Sequence, residues 1–316
     1  MVVQEAARIP PGVRKVGGRM PTGISSLDPV LEGGIPPGSV VLLEGEIGAG
    51  SQEFIYTSLI YLSMLRQRQD AGPEVRVPDN ISYITFTRLK EDVLNEIGLS
   101  FSPTLTRHLN GSISFSDLST HYFDSSVVPS DWYCLEGSED CGKKRTATPE
   151  KMLSELSNHI PNPGRKNTLL KLLYVTLSLA NPRKGEKGEK EDGSSLIVLD
   201  SLTDLATQYS DPERWKELTA FLRGLQRVTK TWNSTIYLLL TKGVLEPSRE
   251  KEIADCVDAV ALFKWEDTVA QRRQRTMFFE KFRGVMTHLE ERDLVKFVVR
   301  ISPGTGFEVS NIRVVV

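Results

Sequence analysis

The apolar residues of this chain follow two rhythms. Short unbroken runs occur as VVLLE at 40–44, ISYITF at 81–86, SISFSDL at 112–118, SLIVLD at 195–200 and STIYLLLT at 234–241. They are rich in β-branched or aromatic residues and bounded by turn residues, as strands buried in a mostly parallel sheet should be. Between them, 51–68, 88–98, 149–159, 167–180 and 212–230 carry helical spacing. In the last, Trp215, Leu218, Phe221, Leu222 and Leu225 recur at three and four, one stripe facing a sheet. This alternation predicts right-handed crossovers and an α/β fold whose mostly parallel central sheet is covered by helices on both faces. Beyond residue 256 the rhythm changes. VDAVALF, RQRTMFFEKF, DLVKFVVR and NIRVVV predict consecutive C-terminal antiparallel strands that extend one edge of the sheet.

Residues 1–19, rich in glycine, proline and basic residues, predict an extended N-terminal arm, and 20–316 a single domain. Within that domain, 124–150 reads as an irregular insertion and 181–195 as a flexible charged loop.

Composition narrows the function. With 316 residues, 39% of them hydrophobic, the chain can build a sizeable core. Lys and Arg total 39 against 41 Asp and Glu, so overall charge draws the chain to neither nucleic acid nor anionic membrane. The run RRQR at 272–275 is a local exception, read as a solvated face or as a patch for an acidic or nucleic-acid partner. Glu266, Asp267, Glu280 and LEERD dilute its field, and no basic stretch is interleaved with aromatic residues, so nucleic acid is not the expected partner. Cys134, Cys141 and Cys256 form no CxxC pair, which argues against structural zinc. Two prolines interrupt the N-terminus where a signal peptide needs its apolar stretch. The longest apolar segment, 54–65, falls short of the roughly 18–20 residues that span a bilayer. A cytoplasmic protein with no membrane insertion is expected.

The candidate chemistry lies in VVLLEGEIGAGSQEF at 40–54. A buried strand leads through Gly45, Gly48, Ala49 and Gly50 into helix-compatible residues, the layout of a phosphate-binding loop whose amides cradle an anion at a helix N-terminus. Such a loop ends in lysine and then serine or threonine, which reach the β- and γ-phosphates and the magnesium ion. Here those positions hold Ser51 and Gln52. The glycines serve either as an anion nest or as a tight strand-to-helix turn. Asp200 ends the SLIVLD strand at the carboxyl edge, where open α/β sheets bind ligands. It reads either as a metal-supporting carboxylate or as a cap of the following turn.

MPTGISSLDPVLEGGIPPGSVVLLEGEIGAG resembles the opening of the RecA superfamily, most closely its KaiC-like and RadA-like branch. Thr22, Gly23, Leu27, Asp28, Leu31, Gly33, Gly34, Ile35, Pro36 and Gly38 match the element that precedes its Walker A loop. ISYITF resembles the family's second strand, SLIVLDSLTDL its Walker B, YLLLTKG its sensor strand and EKFRG its late KMRG hairpin, across nearly nine tenths of the chain. The resemblance implies a RecA-like P-loop fold with ATP and magnesium as cofactors, magnesium being supported by Asp200. It also implies a homo-oligomeric ring in which Lys281 and Arg283 reach a neighbouring subunit's nucleotide. The alternative reading of the pair is an outward basic face on an edge strand.

Three departures from the family pattern stand at Ser51, Gln52 and the pair Thr87 and Arg88, which replace the glutamates that activate water. Glu91 or Asp92, a helical turn later, would have to swing in to take over, but both read as first-turn residues favoured by the helix dipole. The reading is a KaiC-like protein with a degenerate Walker A and no catalytic residue, holding ATP and magnesium weakly or not at all. Its role would be regulatory, in signal transduction or scaffolding, with unnamed protein partners. The alternatives are an active atypical ATPase using Lys281 and Arg283 in trans, and a RadA-like DNA-binding recombinase paralogue.

Overall fold

The computed structural model describes residues 18–68, 75–109, 111–123, 126, 128, 129, 168–180, 194–267, 272–291 and 296–311. Along these residues the chain runs β1 (Val40–Gly45), α1 (Ser51–Arg68), β2 (Asn80–Thr85), α2 (Lys90–Ser100), α3 (Pro103–Thr106), β3 (Ser114–Asp117), α4 (Ser119–Phe123) and α5 (Thr168–Ala180). It continues through β4 (Ser195–Asp200), α6 (Leu202–Gln208), α7 (Pro212–Trp232), β5 (Thr235–Thr241), α8 (Pro247–Asp255), β6 (Ala259–Asp267), β7 (Arg273–Phe282), α9 (Met286–Glu291), β8 (Lys296–Ser302) and β9 (Gly306–Asn311).

One nine-stranded sheet has the order β3-β2-β4-β5-β1-β6-β7-β8-β9. The strands from β3 to β6 pair in parallel, and β6 to β9 pair antiparallel. The expected mostly parallel sheet with an antiparallel C-terminal extension is therefore observed. Every residue of β1 and β4 is buried, so these strands need apolar side chains on both faces. One face packs α1, α2 and α9 around Phe54, Leu59, Val93, Ile97 and Leu289. The other packs α5, α6, α7 and α8 around Leu173, Leu205, Leu222 and Ile253.

Local chemistry fixes the helix ends. Asp211 caps α7 by accepting from the Arg214 N–H at 3.0 Å, Pro212 opens the first turn, and Asn233 closes the helix in a left-handed conformation. The buried stripe is Trp215, Leu218, Leu222, Leu225 and Thr229.

Several boundaries move relative to the sequence expectation. Arg19, placed in the arm, is part of the packed body: it bridges to Val75 and donates to the Leu31 carbonyl at 2.6 Å. Ser194 and Ser195, placed at the end of the charged loop, are buried, and Ser195 starts β4. The ninth strand is Gly306–Asn311, so it ends where the expected NIRVVV strand begins. The expected helix at 149–159, Cys134 and Cys141 lie outside the described residues, as do 1–17, 181–193 and almost all of the 124–150 insertion.

The outer border of β9 is closed by side chains. The Phe307 N–H donates to Thr57 Oγ1 at 2.8 Å and the Val309 N–H to Ser26 Oγ at 2.8 Å, so groups that would face solvent are already paired. Thr57→Val keeps the shape but leaves a buried N–H without its acceptor. It should destabilise the fold by about 1–3 kcal/mol in denaturant titration, whereas an unchanged midpoint would mean that the bond is dispensable.

Candidate phosphate loop and carboxylate site

β1 delivers residues 46–50 to the carboxyl edge of the sheet, and the loop leads directly into α1. Inside the loop, the Glu46 N–H donates to the Phe263 carbonyl at 3.0 Å and the Ala49 N–H to the Glu46 carbonyl at 2.9 Å. Gly48 and Gly50 have φ of 73° and 113°. Ser51 folds back on the first glycine: a Cβ added at Gly45 would lie 2.6 Å from Ser51 Oγ, an approach only glycine permits. The hydroxyl is thus held against the loop instead of extending from it. Among the described residues the N–H groups of Gly50, Ser51 and Gln52 meet no acceptor, consistent with the open first turn of a helix.

No lysine of the described strands replaces the missing one. Lys242 donates its backbone N–H to the Gly45 carbonyl at 2.9 Å, but its ammonium turns to the Glu44 carboxylate and lies 3.7 Å from Glu250. Glu44 is buried, and burial lifts its carboxyl above the ordinary range against the opposing hydrogen bond and charge of Lys242.

Asp200, at the end of β4, is buried, and one of its two carboxylate oxygens is committed to the protein. Its Oδ2 accepts from the Tyr83 hydroxyl at 2.5 Å, Gln52 Nε2 at 3.2 Å and Arg88 Nη1 at 3.3 Å. Gln52 Nε2 also donates to the Tyr56 hydroxyl at 3.0 Å, as does Arg88 Nη1 at 2.9 Å. Tyr56 in turn donates to Glu96 Oε2 at 3.0 Å, and Glu96 pairs with Arg88. Six side chains from α1, β2, the β2–α2 turn, α2 and β4 thus form one closed polar network. Burial raises the Asp200 carboxyl above the ordinary aspartate range, against the Tyr83 hydrogen bond and the Arg88 charge. Burial also raises the Tyr83 hydroxyl, with the neighbouring Asp200 charge adding to it, so this tyrosine stays a donor.

These residues do not fit a magnesium ion. A hard dication needs several oxygen ligands with no cation beside them, while Asp200 Oδ2 already takes three donors, one of them the Arg88 guanidinium. Gln52 turns its amide nitrogen to this carboxylate. Nor does Asp200 cap the next helix, since Ser201 does so by accepting from the Asp204 N–H at 3.2 Å. Glu91 and Asp92 are exposed first-turn residues of α2, so the carboxylate that turns inward is Glu96.

Of the sequence candidates, Gly45, Gly48, Ala49, Gly50, Ser51, Gln52 and Asp200 come together at this edge. Lys281 and Arg283 do not join them within one chain. Lys281 pairs in register with Val260, near the start of β6, whereas Gly45 pairs with Phe263. The Lys281 ammonium donates to the Ala254 and Asp255 carbonyls at 2.8 and 3.1 Å, capping α8. Arg283 lies 3.9 Å from Asp258. Tyr56, Tyr83 and Glu96 are the site residues that sequence reasoning missed, together with the role of Arg88 as the partner of Asp200. The one available signal was the i, i+4 pairing of Gln52 with Tyr56 on α1.

Residues 19–92 match the model of a family described as a family of unknown function, DUF7125. No curated protein matches the chain. Among solved structures, the KaiC-like protein PH0186 from the hyperthermophilic archaeon Pyrococcus horikoshii OT3 superposes over 94% of this chain and 99% of that one. The TM-score is 0.54 at 16% sequence identity. At that identity the likeness carries the fold: a KaiC-like, RecA-type arrangement of sheet and helices. Among the described residues no helix is long and apolar enough to cross a membrane.

Proposed function

We propose that this chain is a RecA-fold protein with a degenerate ATPase centre, acting as a regulatory or scaffold protein instead of a motor. The observation that carries this reading is the Arg88 guanidinium 3.3 Å from Asp200 Oδ2, where the fold would otherwise offer a carboxylate to a metal ion. An arginine fixed by Tyr56, Glu96 and Asp200 supplies no general base. Ser51 and Gln52 give a triphosphate neither an ammonium nor a magnesium-binding hydroxyl. The loop amides could still hold an anion weakly, so any nucleotide binding would not depend on magnesium.

The reading in which Lys281 and Arg283 of a neighbouring copy complete an active site has less support, because the Lys281 ammonium already serves the end of α8. The test is phosphate release from ATP with magnesium in excess, compared between this chain and Asp200→Ala. Both should stay within about twofold of the enzyme-free blank, since Ser51 and Gln52 bring no charge to a transferring phosphoryl group and Arg88 is engaged by Asp200 and Glu96. Magnesium-dependent turnover that Asp200→Ala abolishes would overturn the proposal.

A further inference from the structure

The basic run at 272–275 opens β7, and its alternate residues meet a tryptophan beside the loop. Trp265 on β6 pairs in register with Arg275, and Asp267 with Arg273. The Arg275 and Arg273 guanidinium groups lie over the Trp265 ring, 4.5 and 4.8 Å from its centroid. Arg275 Nε donates to the Gly48 carbonyl at 2.9 Å, and Trp265 Nε1 donates to the Ile47 carbonyl at 3.1 Å. Ile47 itself, at the loop tip, is 85% exposed. Among the described residues neither Arg273 nor Arg275 meets a carboxylate at ion-pair distance.

We propose that Trp265, Arg273, Arg275 and the exposed Ile47 form a docking surface for an acidic segment of a partner protein. Two guanidinium groups held by stacking and by the loop carbonyl incur less ordering cost when a carboxylate arrives. Tryptophan and arginine beside an apolar anchor are the composition of energetic centres in protein interfaces. Nucleic acid fits less well. The indole ring already faces two guanidinium groups and abuts the loop, so it offers no open platform for a base. Glu46 and Asp267 flank the pair, and the whole chain carries a formal charge of −2. A continuous phosphate backbone would meet both carboxylates, whereas a peptide can space its own between them. This inference is independent of the proposal about ATP, because it uses neither Asp200 nor the loop amides.

The experiment uses the full chain and a fluorescein-labelled dodecapeptide of glutamates around two central leucines, read by anisotropy at about 50 mM salt. Arg273→Ala/Arg275→Ala should weaken binding about tenfold or more. The exposed Arg273→Glu, which breaks no backbone bond, should weaken it at least as much as Arg273→Ala does alone. Arg300→Ala, an exposed arginine on β8, should leave it unchanged. Equal binding by the double variant, or an equal loss in Arg300→Ala, would overturn the assignment. So would tighter binding of a twelve-residue oligothymidylate through the same two arginines. Self-association of the unmodified chain that the double variant abolishes would overturn it too, because the occupant would then be a second copy.

Discussion

Arg88→Ala is expected to cost about 3 kcal/mol of folding free energy at pH 7, measured from denaturant midpoints. Removing one partner of a buried ion pair typically costs about 3–5 kcal/mol, because a desolvated charge is left behind. The low end applies because the Arg88 side chain remains 28% exposed while that of Asp200 is 8% exposed. The loss should depend on pH. Burial already holds the Asp200 carboxyl above its ordinary value, so the folded protein binds that proton more readily than the unfolded chain. A group with this sign contributes stability at low pH that is lost as pH rises through its folded pKa. Without the Arg88 charge the folded value rises further, and protonation relieves the stranded carboxylate at higher pH. The Arg88→Ala penalty should therefore shrink between pH 7 and pH 5. Adding Asp200→Asn to Arg88→Ala should recover part of it, since the two side chains act as one unit. An identical penalty at both pH values would show that the pair is not ionic.

Gly34→Ala is expected to be the most damaging small substitution, at least about 3 kcal/mol, by the same titration. Gly34 has φ of 126°, and a Cβ there would fall 2.0 Å from the Met20 carbonyl oxygen. That oxygen accepts from the Ile35 N–H at 2.7 Å, and the Met20 N–H donates to the Ile35 carbonyl at 2.9 Å. A side chain at 34 would force this two-bond bridge apart. Gly33→Ala is the control, because φ there is 100° but nothing lies within 4 Å of an added Cβ. It should cost about 1–3 kcal/mol from backbone strain alone. Equal effects at 33 and 34 would mean that the contact with Met20 contributes nothing.

The elements most readable in the sequence were those whose residues decide their own environment. SLIVLD starts and ends with β4, a short apolar run bounded by turn residues, and RQRTMFFEKF coincides with β7. Asp28, singled out by motif, has a local physical role: its carboxylate accepts from Thr22 N and Thr22 Oγ1 at 2.6 Å each, and from Gly23 N at 3.2 Å. Residues whose meaning depends on sheet order were not readable. Arg88 could be seen as unsuited to be a base, but not as the partner of Asp200, which is 112 positions away and reached only because β2 pairs with β4. Tyr83 likewise reads as core on β2 until the network shows its hydroxyl on Asp200. Lys281 and Arg283 are two apart, but β7 ends at Phe282, so strand alternation does not govern where Arg283 lies.

The closed flank of β9 limits how copies of this chain can join. An incoming strand would have to displace Thr57 and Ser26 from the two amides they already occupy. The opposite flank, β3, offers only Ser114–Asp117 as a template, too short for a lasting intermolecular ladder. Among the described residues, both flanks of the sheet are thus poor templates for fibre-like growth by strand addition.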